Sequence, residues 1–138
     1  MRVLICGDRN WKDYFFIRKV LSARLKPTDL VIEGGARGAD TLARTAALSL
    51  KIEVMEFPAE WAKYGKAAGP IRNKKMLDVG RPDQVWAFHD NIQGSRGTKN
   101  MITLAHQAGC ERLYRIRVPG RGSSARGIVH DVFHERRR

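Results

Sequence analysis

Three times along this chain an apolar run gives way to a glycine-bearing loop and resumes as a helical stripe, a pattern that few folds accommodate. The fullest instance is the middle one. Leu30, Val31 and Ile32 lead into Gly34-Gly35-Ala36-Arg37-Gly38-Ala39-Asp40, after which Ala39, Leu42, Ala43, Ala46 and Leu50 recur at helical spacing. Strand, tight turn and helix are the expected states. Glycines in such a turn remove Cβ atoms, so a ligand can approach the backbone. The first N–H groups of the following helix lack intrahelical acceptors and sit at the positive end of its dipole, which suits an anion. Arg37, inside the turn, adds a planar guanidinium able to grip a phosphate with two bonds.

The rest of the chain repeats the design. Arg2 to Gly7 reads as a buried strand and Asp8-Arg9-Asn10 as its loop; a helix is expected from Trp11 to Lys26, closed by Pro27. Trp11, Phe15 and Phe16 widen the apolar band of that helix, a pattern for core packing or a subunit contact. Further strands are expected at Asp29 to Gly34, Lys51 to Phe57, Asp83 to His89 and Glu111 to Val118. Ala59 to Ala68 reads as a long connection carrying Trp61 and Tyr64 among Lys63 and Lys66. Gly69-Pro70 opens a helix that places Arg72 and Asn73 in its first turn, and Gly80 ends it. Gly94-Ser95-Arg96-Gly97-Thr98 opens the last regular helix, with Thr98 as its expected cap, and Gly109 closes it.

Strands alternating with helices specify an α/β fold, with about five mainly parallel strands and helices on both faces. With 138 residues the chain makes a single domain. Ligands of such sheets bind beyond the carboxyl ends of the strands. There the three glycine corners are expected to meet, with Gly7, Asp8, Arg9, Gly34, Gly35, Arg37, Gly38, Asp40, Arg72, Asn73, Ser95, Arg96, Gly97 and Thr98 as candidate ligand-binding residues. Arg72 is expected on an exposed rim, where its loss would spare the fold.

The formal net charge of +12 calls for an acidic partner, whether a small phosphorylated ligand or nucleic acid. No apolar run approaches the roughly 20 residues that span a bilayer, so no membrane partner is expected. Residues 1–6 read as a strand rather than a signal peptide, and two cysteines make no disulfide framework; a cytoplasmic protein is expected. Part of the positive excess lies in the C-terminal stretch, with Arg115, Arg117, Arg121, Arg126 and Arg136-Arg137-Arg138. The basic extension, 119–138, is read as a turn-rich linker followed by a short helix or a loosely attached tail. His130 and His134 are four apart but lack a third ligand, and no metal or other cofactor is expected.

The glycine-arginine turn at 34–40, Ala68-Gly69-Pro70-Ile71-Arg72-Asn73 with Met76, and Gly97-Thr98 with Met101 together resemble the cpYpsA-related branch of the SLOG superfamily. The LOG phosphoribohydrolases and the DNA-processing protein DprA are relatives within it. The resemblance runs from Arg2 to about Arg117 and implies a Rossmann-like domain, 1–118, that binds a nucleotide or nucleotide-derived ligand and forms a homo-oligomer. The function so implied is that of a sensor, a sequestering protein or an N-glycosidic-bond hydrolase. LOG enzymes are similar at Arg72, Met76 and the glycine-threonine turn, but carry a catalytic glutamate three residues after the threonine, where this chain has Met101. A thioether cannot act as a general base. Asp8, Glu33, Asp40 or Asp90 could supply a carboxylate from another loop. Asp40 is the best placed by order, although holding its own turn or pairing with an arginine is favoured over catalysis for it. Arg72 and Asp40 are the candidates for any catalytic role. The alternative partner is single-stranded nucleic acid, as for DprA, with Trp61, Tyr64 or Trp11 as stacking platforms.

Overall fold

The computed structural model describes residues 1–118 and the backbone of 129–132. Strands β1 (Arg2–Gly7), β2 (Leu30–Glu33), β3 (Glu53–Glu56), β4 (Gln84–Phe88), β5 (Leu113–Arg117) and β6 (Val129–Val132) form one sheet in the order β3-β2-β1-β4-β5-β6. The first five are parallel, and β6 pairs antiparallel with β5. The expected short final helix is therefore corrected over 129–132. Those residues extend the sheet edge instead, and His130 lies in a strand. His134, the Pro119 to Ser124 linker and the terminal arginines lie outside the described residues.

Alternation along β1 sets the two cores. Val3 and Ile5 face helices α1 (Tyr14–Arg24) and α2 (Ala39–Ser49), meeting Ile17, Val20, Leu21, Ala43, Ala46 and Ala47. Leu4 and Cys6 face α4 (Ala68–Gly80) and α5 (Arg96–Gln107), meeting Met76, Leu77, Met101 and Ala105. Both faces of the sheet are thus covered, as a parallel sheet requires. No helix among the described residues is long and apolar enough to cross a membrane.

Local chemistry moves some boundaries. Helix α1 starts at Tyr14 rather than Trp11, because the Asp13 side chain accepts the Phe16 N–H at 3.0 Å and caps the helix there. Trp11 is buried and meets Phe88 edge-on, 5.7 Å between centroids, which makes it core rather than a stacking platform. The long connection contains a four-residue helix, α3 (Trp61–Tyr64), and a 3-10 turn at 65–67. Gly80 ends α4, but the left-handed residue after it is Arg81. A Cβ on Gly80 would stand 3.1 Å from the Ile32 Cδ1, so close packing of α4 on β2 favours the glycine.

From β1 the chain winds outward through β2 to β3, then returns to the other side of β1 as β4. The loops after β1 and β4 consequently diverge and leave a crevice at their carboxyl ends.

Candidate functional site

Each corner of the crevice is fixed by bonds between distant parts of the chain. After β1, the Asp8 N–H donates to the Phe88 carbonyl at 2.9 Å, and the Asp8 carboxylate accepts the Asn10 N–H at 2.8 Å. The Asp8 carbonyl accepts from Trp11 at 3.1 Å and from Ala39, at the start of α2, at 3.0 Å. Gly38 lies directly on this loop: a Cβ there would sit 2.3 Å from the Asp8 carbonyl oxygen, and its φ of +80° is one that side chains rarely adopt.

The middle corner is occupied from within. Asp40 Oδ2 accepts the Gly34 N–H at 3.2 Å and the Ala36 N–H at 3.3 Å, while Glu33 Oε2 accepts the Gly35 N–H at 2.6 Å. Thr41 N–H donates to the Ala36 carbonyl at 3.2 Å. With Ala39 held by Asp8, the N–H groups at this end of α2 largely have protein acceptors. The turn whose amides were expected to face a ligand instead holds its own carboxylates. Arg72 covers it from α4, donating through Nη1 to the Gly34 carbonyl and through Nε to Asn73 Oδ1 at 2.8 Å.

Asn73 carries the connection onward. Its Nδ2 donates to the Gly97 carbonyl at 3.3 Å and to Asn100 Oδ1 at 3.1 Å, joining α4 to the first turn of α5. There Ser95 is the cap, its Oγ accepting the Thr98 N–H at 3.3 Å. This corrects the expectation for Thr98, whose hydroxyl donates to the Gly7 carbonyl at 3.2 Å. The N–H groups of Arg96 and Gly97 have no intrahelical acceptor.

Between these corners lies a cleft of about 750 Å³. Of the residues expected at a site, Gly7, Asp8, Arg9, Asp40, Arg72, Asn73, Ser95, Arg96, Gly97 and Thr98 line it. Gly34, Gly35, Arg37 and Gly38 do not: the three glycines serve the packing of the turn, and Arg37 is exposed away from the cleft. Cys6, Met76 and Met101 form an apolar floor. The wall also contains Trp61, Lys66, His89, Asn91 and Asn100. Asn100 and Met101 stand one turn beyond Gly97 on the same helical face, so the i, i+3, i+4 spacing was the signal that could have found Asn100.

Glycines separate into two kinds here. A Cβ on Gly7 would lie 2.3 Å from the Phe88 carbonyl oxygen, and one on Gly34 would lie 2.6 Å from Arg72 Nη1. On Gly97 it would meet nothing within 4 Å, and Gly97 is not among the residues with positive φ. The protein itself needs no glycine at 97; the missing side chain leaves open space at the helix start.

Arg9, Lys66, Arg72 and Arg96 make the cleft cationic against Asp8 and Asp40. Burial pushes the Asp40 carboxyl up to about 6, opposed by the Ala36 N–H, Arg72, the Gly34 N–H and Arg9. Arg72, half-buried, is itself shifted down by burial, with Asp40 opposing. Behind the turn, burial pushes Glu33 up to about 8; the Gly35 N–H opposes this, and the nearby Asp40 and Glu56 add to it. Glu33 and Glu56 are register partners on β2 and β3, and Glu33 Oε1 is buried without a hydrogen bond. Burial also raises the Cys6 thiol, so this cysteine stays protonated and apolar in the floor.

Residues 1–64 match the family model described as YspA, cpYpsA-related SLOG family. The Gene 61 protein of Mycobacterium phage D29 is 35% identical over 116 residues, covering 78% of this chain and 90% of that protein. DNA processing protein A (DprA) from Streptococcus pneumoniae shares the fold with a TM-score of 0.61 at 19% identity, over 89% of this chain. The aligned part is 52% of DprA, so this chain spans about half the length of that protein. The similarity in sequence and the shared Rossmann-like architecture agree, and the chain belongs to the YspA, cpYpsA-related SLOG family.

Proposed function

We propose that the cleft binds a nucleotide or nucleotide-derived ligand through its phosphate, seated on the first turn of α5 with Arg96 and Arg72 as counter-charges. The observation that carries this is the open space over Gly97 beside helix-start N–H groups without helical acceptors, in a cleft bearing four cationic side chains. Asn73 and Thr98 act as positioning residues: both bind protein carbonyls that hold α5 at the rim.

Binding without glycosidic cleavage is the favoured role. Met101 replaces the glutamate of LOG enzymes and lies buried in the floor. Asp40, the other candidate, has one oxygen held by two backbone N–H groups. Calorimetric titration with AMP, ADP-ribose and ribose 5-phosphate tests the proposal. Saturable heat with the phosphate-bearing compounds is expected, with no free base released on incubation; no binding by any of them would refute it.

Single-stranded nucleic acid is the second reading, favoured by a specific cluster. Trp61 and Tyr64 are exposed, and Lys63 Nζ stands 4.9 Å from the Tyr64 ring centroid. The matched relative DprA is named for DNA processing, and the net charge of +12 suits a polyanion. A groove making several phosphate contacts loses affinity steeply with salt, whereas a pocket holding one nucleotide loses less. Oligonucleotide and AMP titrations at two salt concentrations therefore separate the readings.

A further inference from the structure

Trp61 opens α3 with its side chain about half exposed, at 49%, and belongs to neither apolar core. The other tryptophans, Trp11 and Trp86, are buried at 8% and 5%. Two residues from elsewhere in the chain hold the Trp61 ring in place. A Cβ on Gly69 would stand 3.3 Å from Trp61 Cη2, so the indole edge rests on the first turn of α4. From the loop after β1, Arg9 reaches over the ring with its Cζ 5.7 Å from the centroid. All three residues line the cleft.

That arrangement is unusual for a merely structural tryptophan. A large apolar ring gains most from burial, yet this one is left half in water at the wall of a cationic cleft. Among the described residues no other aromatic ring packs against it. The Arg9 guanidinium lies near the outer limit of about 6 Å for a cation–π contact, so its contact with the ring is weak against a better planar partner, while its charge also acts on Asp40. The Arg9 backbone, by contrast, is fixed between the Asp8 bonds and Gly38.

We propose that Trp61 is the platform for the nucleobase of the ligand, with the Arg9 guanidinium shifting to admit the base and pair with its charge or π-face. This rests on the nucleotide reading of the cleft and adds the ligand class: a phosphate ester that carries a planar base, not a sugar phosphate alone. A base can arrive on a free nucleotide or on a single strand, and the platform serves either. Stacking on an aromatic side chain gives roughly ten- to a hundredfold in affinity for each base.

The test compares AMP with ribose 5-phosphate, which lacks a base, by calorimetry and tryptophan fluorescence. Because Trp61 is the exposed tryptophan, base stacking should change the emission of the wild-type protein. AMP is expected to bind about tenfold or more tighter than ribose 5-phosphate. Trp61→Ala should remove that margin with ribose 5-phosphate still bound, and should lower the unfolding temperature only modestly, because half of the ring already lies in solvent. Trp61→Phe should keep part of the margin without the emission change. Equal wild-type affinities for the two ligands, or a margin that survives Trp61→Ala, would overturn the platform while leaving the phosphate seat standing. Failure of AMP, ribose 5-phosphate and a dT octamer all to bind would instead overturn the nucleotide reading and the platform with it. A dT octamer, titrated alongside, assigns the stacked base to a strand if it binds tighter than AMP with a steep salt dependence, and to a free nucleotide if it does not.

Discussion

Thr98 donates its hydroxyl to the Gly7 carbonyl 3.2 Å away, tying the start of the last helix to the end of the first strand across 91 residues of chain. Thr98 is buried, and the bond lies in the wall of the cleft. Thr98→Val keeps the shape and removes the donor, leaving the Gly7 carbonyl without its partner. A loss of about 1–2 kcal/mol in stability is expected. Because α5 is also the proposed phosphate seat, nucleotide affinity should fall with it; denaturant unfolding and calorimetry on the same variant check both.

Gly38→Ala is expected to be far more damaging to the fold. Its Cβ would occupy space 2.3 Å from the Asp8 carbonyl oxygen at a φ of +80°, and the Asp8 and Arg9 atoms it would meet are backbone that cannot rotate away. The cost should be at least about 3 kcal/mol, read as a fall in denaturation midpoint.

Arg72→Ala should cost both stability and affinity, contrary to what an exposed rim position would imply. Its guanidinium bonds the Gly34 carbonyl and Asn73 and offsets the charge of buried Asp40. Removal should destabilise by about 1–3 kcal/mol. Arg72→Lys keeps the charge but cannot make both bonds, so it should recover only part of the stability. Equal unfolding free energies for Arg72→Ala and wild type would show that this bridge contributes nothing.

Stability should decline as pH rises from 5 to 9. Glu33, ordinarily titrating at 4.5, is held up to about 8, and Asp40, ordinarily at 3.8, up to about 6. The folded state therefore binds more protons than the unfolded state between those values. Its advantage is full below the unfolded pKa and is lost as pH rises through the folded one. Glu33→Gln keeps an acceptor for the Gly35 N–H and cannot ionise, so it should flatten the upper part of the profile, on the order of 3 kcal/mol by pH 9. Unfolding temperatures measured across that range check the slope; a wild-type profile that rises with pH would contradict it.

The alternation of apolar runs and glycine corners made the sheet, its parallel strands and its two covered faces readable from the chain alone. The meeting of the corners was also legible, because strand carboxyl ends share one edge. What composition could not reveal is which partner takes each N–H. Gly34 to Asp40 reads like an anion cradle, yet Asp40 and Glu33 accept its amides. Ser95, not Thr98, caps α5 because the Thr98 hydroxyl is drawn to a carbonyl on β1, a pairing that depends on sheet order. Trp11 and Trp61 look alike as sequence, and only packing buries one against Phe88 and leaves the other at the cleft wall. The strand at 129–132 forms where β5 offers an open edge, a long-range pairing that local periodicity does not encode.

Gly97→Leu tests the phosphate seat most directly. A side chain there enters open space rather than protein, so the fold should be unharmed, with an unfolding temperature equal to or above that of wild type because leucine favours helix over glycine. The same side chain would fill the seat, and affinity for AMP in a calorimetric titration should drop by tenfold or more. A stable Gly97→Leu protein that binds AMP as tightly as wild type would mean that the phosphate does not rest on α5.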